Sequence, residues 1–138
     1  MTTSLTRIFF LMVSTMLTVA AGAQDAVADN MLLYQRSIGG WPKHINDVKV
    51  DYTKPLSQSE LVRLTADRSR KDATIDNGAT RKEIRYLVKA FQTTGNKAYL
   101  QAAEKGIRYL LQMQMANGGF PQFYPDSSSY RGQITYND

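Results

Sequence analysis

"LLYQRSIGGWPK" (Leu32–Lys43) and "LQMQMANGGFPQ" (Leu111–Gln122) are one pattern written twice, 79 residues apart. Gln35 matches Gln114, Gly39-Gly40 matches Gly118-Gly119, Trp41 matches Phe120 and Pro42 matches Pro121. Each copy ends a helical periodicity with residues that cannot continue it: glycines that accept left-handed or crowded backbone, then a proline without an amide hydrogen. Two independent helix stops explain the glycines and the proline but not the shared glutamine. The repeat therefore favours stacked helical hairpins whose ends turn inward, as in helical barrels, with the aromatic residue plugging the end.

Working outward, four helices are expected. The first covers Ala26 to Arg36, with Ala28, Met31, Leu32 and Gln35 on one stripe. The second starts at a capping box, Ser57 with Glu60, and carries Leu61 and Leu64. The third has Ile84, Leu87, Val88 and Phe91 at helical spacing, Thr80 with Glu83 as a second capping box, and Gly95 as its stop. The fourth runs from an Asn96 cap through Tyr99, Ala103, Ile107, Leu110, Leu111 and Gln114. Val48, Val50 and Tyr52 alternate with polar residues, but Pro55 and the polar surroundings favour an ordered loop over an edge strand. The expected class is all-α, a partial (α/α) toroid of helical hairpins that is incomplete in this chain.

The chain has 138 residues and no cysteine. Arg7, the apolar run "IFFLMVSTMLTV" and the small-residue site at Ala21 and Ala23 predict a signal peptide over 1–23, leaving residues 24–138 as the mature segment. The apolar run is shorter than the ~20 residues a membrane helix needs, so a secreted or periplasmic monomer is expected, with no membrane association after signal removal. The basic excess suits an acidic polysaccharide better than nucleic acid in an exported protein, although such an excess is ordinarily a solvated surface.

Without cysteine and with His44 as the single histidine, thiol chemistry, histidine-rich zinc sites and serine triads are excluded. Carboxylates, amides and basic side chains remain. "TIDNGAT" (Thr74–Thr80) precedes the third helix; its Asp76 and Asn77 are good capping residues, yet Thr80 with Glu83 supplies a complete cap and leaves Asp76 without a structural task. Asn137-Asp138 follows the fourth helix, and an antiparallel helical pair returns both acidic loops to one end. Hard oxygen donors from two loops suit calcium.

Together, "NMLLYQRSIGGWPK" (Asn30–Lys43), "ATIDNGATRKEIRYL" (Ala73–Leu87), "YLLQMQMANGGFPQFYP" (Tyr109–Pro125) and "ITYND" (Ile134–Asp138) resemble successive motifs of the polysaccharide lyase family 10 pectate lyases. The resemblance implies an (α/α) toroid and calcium-dependent β-elimination of de-esterified homogalacturonan, with pectate as the substrate. It places Asp76 as an active-site acid and, with Asp138, as a Ca2+ ligand; Asn77 contributes an amide contact, and Lys43 faces the acidic sugar. The base it implies is an arginine beyond Asp138, so the chain corresponds to the N-terminal part of the catalytic domain. A non-catalytic carbohydrate-binding toroid module, an inactive truncated lyase and a toroid glycoside hydrolase are the alternatives.

Overall fold

The computed structural model describes residues 24–134. The expected signal peptide and Asp138 lie outside the described residues. Four helices account for most of the regular structure: α1 (Ala26–Tyr34), α2 (Gln58–Ala66), α3 (Arg81–Thr94) and α4 (Lys97–Met113). A two-residue-per-strand hairpin, β1 (His44–Ile45) with β2 (Val48–Lys49), is the sheet among the described residues. The all-α class is as expected.

Local signals set most helix ends. Asp25 caps α1, its carboxylate accepting from the Val27 and Ala28 amides at 3.0 Å. Ser57 and Glu60 form the anticipated reciprocal box at α2, and Asn96 caps α4 through the Ala98 amide. Gly95 ends α3 in the left-handed conformation, φ 72°. The preference for a loop over a strand after Lys43 is corrected: Val48 and Lys49 pair with His44 and Ile45, and Asn46 and Asp47, both at positive φ, make the tight turn that closes the hairpin.

α3 packs most extensively against α4, α1 touches both, and α2 lies against α1. Their core joins Ala28 and Met31 of α1, Ile84, Leu87 and Ala90 of α3, Tyr99, Ala102 and Ala103 of α4, and Trp41. Burying a side chain such as Leu87 stabilises the fold by ~1.5–3 kcal/mol. Trp41 is fully buried and donates its indole N–H to the Met31 carbonyl at 2.7 Å.

The repeat is structural. Gln35 Nε2 donates to the Gly39 carbonyl at 2.7 Å, and Gln114 Nε2 to the Gly118 carbonyl at 3.1 Å. The Arg36 amide bonds Gly40 and the Met115 amide bonds Gly119, at 2.9 and 2.8 Å. Each glutamine thus closes the loop that its own glycine pair opens. In the first copy it also reaches the Ala102 carbonyl at 2.8 Å, tying the loop to α4. Because Gln35 turns its side chain back in this way on extended backbone, α1 ends at Tyr34 rather than at Arg36.

Two further expectations are corrected. Ile107 and Leu111 do not line the core: they are 46% and 67% exposed. The face of α4 turned inward carries Ala102, Ala103, Gly106, Tyr109 and Met113 instead, because the first glycine loop lies directly on the helix. A Cβ on Gly39 would stand 2.4 Å from the Lys105 carbonyl oxygen, and one on Gly106 would stand 2.6 Å from Ile84 and 2.8 Å from Trp41. Only small residues fit there. Thr80 does not cap α3 either: its side chain makes no bond to the helix N-terminus.

Candidate active site

The candidate site is built where three extended segments, distant in sequence, meet at one end of the helices. Pro42 bridges Ala73, and Thr74 bridges Phe123. The Thr74 amide donates to the Trp41 carbonyl and the Ile75 amide to the Gln122 carbonyl, both at 3.1 Å. The segment before Asp76 is therefore sandwiched between the two copies of the repeat.

Two buried threonines lock the arrangement. The Thr74 hydroxyl donates to the Gln122 carbonyl at 2.7 Å and accepts from the Asp76 amide at 3.0 Å. The Thr80 hydroxyl donates to the Thr74 carbonyl at 2.9 Å and accepts from the Trp41 amide at 3.0 Å. These bonds explain why Thr80 fails as a cap. They also hold it in a rare conformation, φ 63° and ψ −49°, spanned by a 2.7 Å bond from the Arg81 amide to the Ala79 carbonyl. This is a γ-turn of the strained kind, unfavourable for a β-branched residue. Strain of ~1–3 kcal/mol persists only where surrounding contacts over-determine it, and such positions cluster at functional sites.

Asp76 opens a short 3-10 turn, Asp76–Gly78, in which Asn77 is left-handed at φ 50°. Lys43 Nζ lies 2.6 Å from Asp76 Oδ2, and Asn77 Nδ2 donates to Oδ1 at 3.0 Å. The Gln122 side chain also bonds the carboxylate. Burial works against the charged form, but the bonds from Lys43 and Gln122, the Lys43 charge and the Asn77 amide together hold the Asp76 carboxyl below its ordinary value. It is a carboxylate at neutral pH.

The structure brings Asp76, Asn77 and Lys43 together. Asp76 makes no cap bond, so its freedom from capping stands, although not because Thr80 takes that place. Lys43 meets Asp76 directly rather than standing apart from it. Gln122 was missed, yet the repeat carried the signal: it is the counterpart of Lys43, and the two equivalent residues both reach Asp76.

A cleft of about 490 Å3 opens over this cluster, lined also by His44, Arg70, Asp72, Phe123, Tyr130 and Arg131. His44 is exposed and belongs to the cleft wall. Asp72 is gripped by the fully buried Arg36 in a two-pronged bond of 2.6 and 2.8 Å, and it stands 3.4 Å from Arg70. Arg131 lies over the Phe123 ring at 4.8 Å and is paired with Asp126, whose carboxyl is drawn down to about 2, chiefly by hydrogen bonds from Ser128 and Arg131. Nothing local in the sequence announced Arg70, Asp72 or Arg131. Their roles depend on partners that folding supplies.

The described residues do not by themselves make a calcium site. No three acidic or histidine side chains converge among them, and both oxygens of Asp76 already accept bonds. The second expected ligand, Asp138, lies outside the described residues.

Fold and site together define a protein of packed helical hairpins that gathers carboxylate, amide and basic side chains in an open cleft at one end. The chain belongs to the pectic acid lyase family, whose model matches residues 35–138. It is similar to the solved structure of a family 10 polysaccharide lyase from Cellvibrio cellulosa, at 33% identity and a TM-score of 0.61. An aspartate-to-alanine mutant of a family 10 polysaccharide lyase from the same organism, in complex with trigalacturonic acid, matches at 33% identity and a TM-score of 0.65. Both alignments cover 81% of this chain and 31% of the other. The chain therefore spans about a third of the length of these relatives. No curated protein matches it.

Proposed function

We propose that this chain forms part of the active site of an exported pectate lyase that cleaves de-esterified homogalacturonan by β-elimination. The observation that carries the proposal is the ionised Asp76, held by Lys43, Asn77 and Gln122 at the mouth of a cleft with arginines on its walls, in a chain of the pectic acid lyase family. The complex of a relative with trigalacturonic acid supports a polyuronate as the ligand.

In such a reaction a base removes the C5 proton of a uronate, negative charge builds on the adjacent carboxylate, and the C4–O bond breaks to leave a 4,5-unsaturated sugar. Lys43, Arg70 and Arg131 supply positive charge for the uronate carboxylates. Asp76 orients Lys43 and gives the cleft one fixed acidic group. Calcium, when bound, would supply charge neutralisation at the developing anion, and Asp76 is the described residue that could lend it a ligand.

The test is the rise in ultraviolet absorbance of unsaturated product from polygalacturonate, measured on the full-length gene product and its Asp76→Ala variant. The expected loss in kcat is on the order of a hundredfold or more, the scale of removing one preorganised active-site group. An Asp76→Ala variant as active as the parent refutes its role. Activity that survives complete chelation refutes the calcium requirement, and a mature N-terminus other than one near residue 24 refutes the export signal. Because both Asp76 oxygens are engaged, binding without cleavage is a second reading; retention on pectate with no unsaturated product would favour it.

A further inference from the structure

A second cleft, about 430 Å3, shares Lys43 and Asp76 with the first. Its remaining lining includes Lys49, Tyr52, Asn77, Lys82 and Glu83. The Lys43–Asp76 pair is therefore a boundary between two connected depressions rather than the end of one.

The two differ in how their charges are used. In the first, Arg70 is paired with Asp67 and Asp72, and Arg131 with Asp126. In the second, Lys49 and Lys82 are both exposed and form no ion pair among the described residues. Its one additional acid, Glu83, is buried and accepts from the Tyr52 hydroxyl at 3.0 Å. Burial pushes the Glu83 carboxyl above its ordinary value, against the bond from Tyr52.

Both lysines stand on anchored backbone. Lys82 lies in the first turn of α3, and its stem passes so close to Gly78 that a Cβ there would stand 3.0 Å from Lys82 Cε. Lys49 ends β2, whose following loop is tied down by Asn30 Nδ2 bonding the Tyr52 and Lys54 carbonyls at 2.8 and 3.1 Å, and by the Tyr52–Glu83 bond. Their ammonium groups keep their freedom while their backbone positions are set, which suits capture of a carboxylate without a demanding orientation.

We propose that this second cleft is a further polymer-binding subsite, in which Lys49 and Lys82 hold the carboxylates of uronate units beyond the one at Asp76. The inference rests on the pectate reading above and extends it: the preference for unesterified runs would be set partly here, away from the reacting unit. Its signature is a dependence on chain length. A polymer reaches both clefts, whereas a short oligomer bound at Asp76 need not.

The test compares the parent full-length protein with a Lys49→Ala/Lys82→Ala double variant and a Lys49→Arg/Lys82→Arg double variant, on polygalacturonate and on trigalacturonate. Both sites are exposed, and unchanged circular dichroism and thermal unfolding would show the fold intact. An exposed ion pair is worth a factor of about two to five, so losing two in the alanine variant should raise KM for the polymer about four- to twenty-five-fold with kcat unchanged. Its KM should depend less on salt, and arginine should restore the parent value. Trigalacturonate KM should hardly change. An unaltered polymer KM in the alanine variant, or an equal rise for the trimer, overturns the subsite. A parent protein that neither cleaves nor binds polygalacturonate overturns the functional reading beneath it, and that result is separable because it needs no variant. If the parent binds without cleaving, Kd replaces KM with the same expectations.

Discussion

Replacing Lys43 with methionine keeps most of the stem and removes the charge that faces Asp76 at 2.6 Å. The two side chains are 27% and 22% exposed, so the pair belongs neither to the fully solvated ion pairs worth ~0.2–1 kcal/mol nor to the buried ones. A hydrogen bond to a charged group contributes ~1.5–3 kcal/mol; with water reaching both partners, a loss of about 1–2 kcal/mol is expected at neutral pH. The pH dependence is the sharper signature. Burial raises the Asp76 carboxyl, and the bond from Lys43 heads the influences that lower it; without Lys43 the group should titrate higher. A carboxyl depressed by folding stabilises the protein above its unfolded value, ~3.9, and loses that contribution as pH falls through the folded value. The parent should therefore exceed Lys43→Met in stability by the full amount at pH 7, and the gap should narrow progressively as pH falls below about 4. Urea unfolding at several pH values, with a carbon NMR titration of the Asp76 carboxyl, measures both effects. An Asp76 midpoint unchanged by the substitution, or a stability gap as large at pH 3 as at pH 7, would refute the reasoning.

Two further outcomes follow from the same contacts. Gln35→Ala leaves the buried Gly39 carbonyl without its donor and cuts the tie to Ala102 of α4; at ~1–3 kcal/mol for a buried polar group left unsatisfied, it should cost about 1–3 kcal/mol in chemical unfolding. Gln114→Ala, at the exposed second copy, should cost under ~1 kcal/mol, and equal costs would show that the two loops are not held as described. Glu83→Gln should raise the melting temperature at pH 7, because a carboxyl raised by burial contributes stability only below its unfolded value and loses it as pH rises through the folded one. The gain should vanish near pH 3; a variant less stable at pH 7 would show that the charged form is the one the fold prefers.

Much of the fold was legible because its signals are local. The Ser57–Glu60 box, the Asn96 cap, the Gly95 stop and the period of α3 each involve residues within a few positions of one another, and each is found where expected. The repeat was legible for the same reason: a glutamine closing a loop four residues away needs no distant partner. Even Asp76 could be singled out as an acid free of capping. The inference about Thr80 failed although its sequence cue was good, since the hydroxyl found stronger use between Trp41 and Thr74 than at the helix end.

By itself the sequence determined where helices start and stop, that two equivalent loops end α1 and α4, and that carboxylates, amides and basic residues must carry any chemistry. Tertiary structure alone decided that Lys43 and Gln122 converge on Asp76, that Arg36 grips Asp72, and that Ile107 and Leu111 face outward. The physical reason is one of range. Caps, stops and periodicity are settled by bonds closed within a turn or two, whereas the site is closed by backbone bridges from Pro42 to Ala73 and from Thr74 to Phe123, which join segments far apart in the chain.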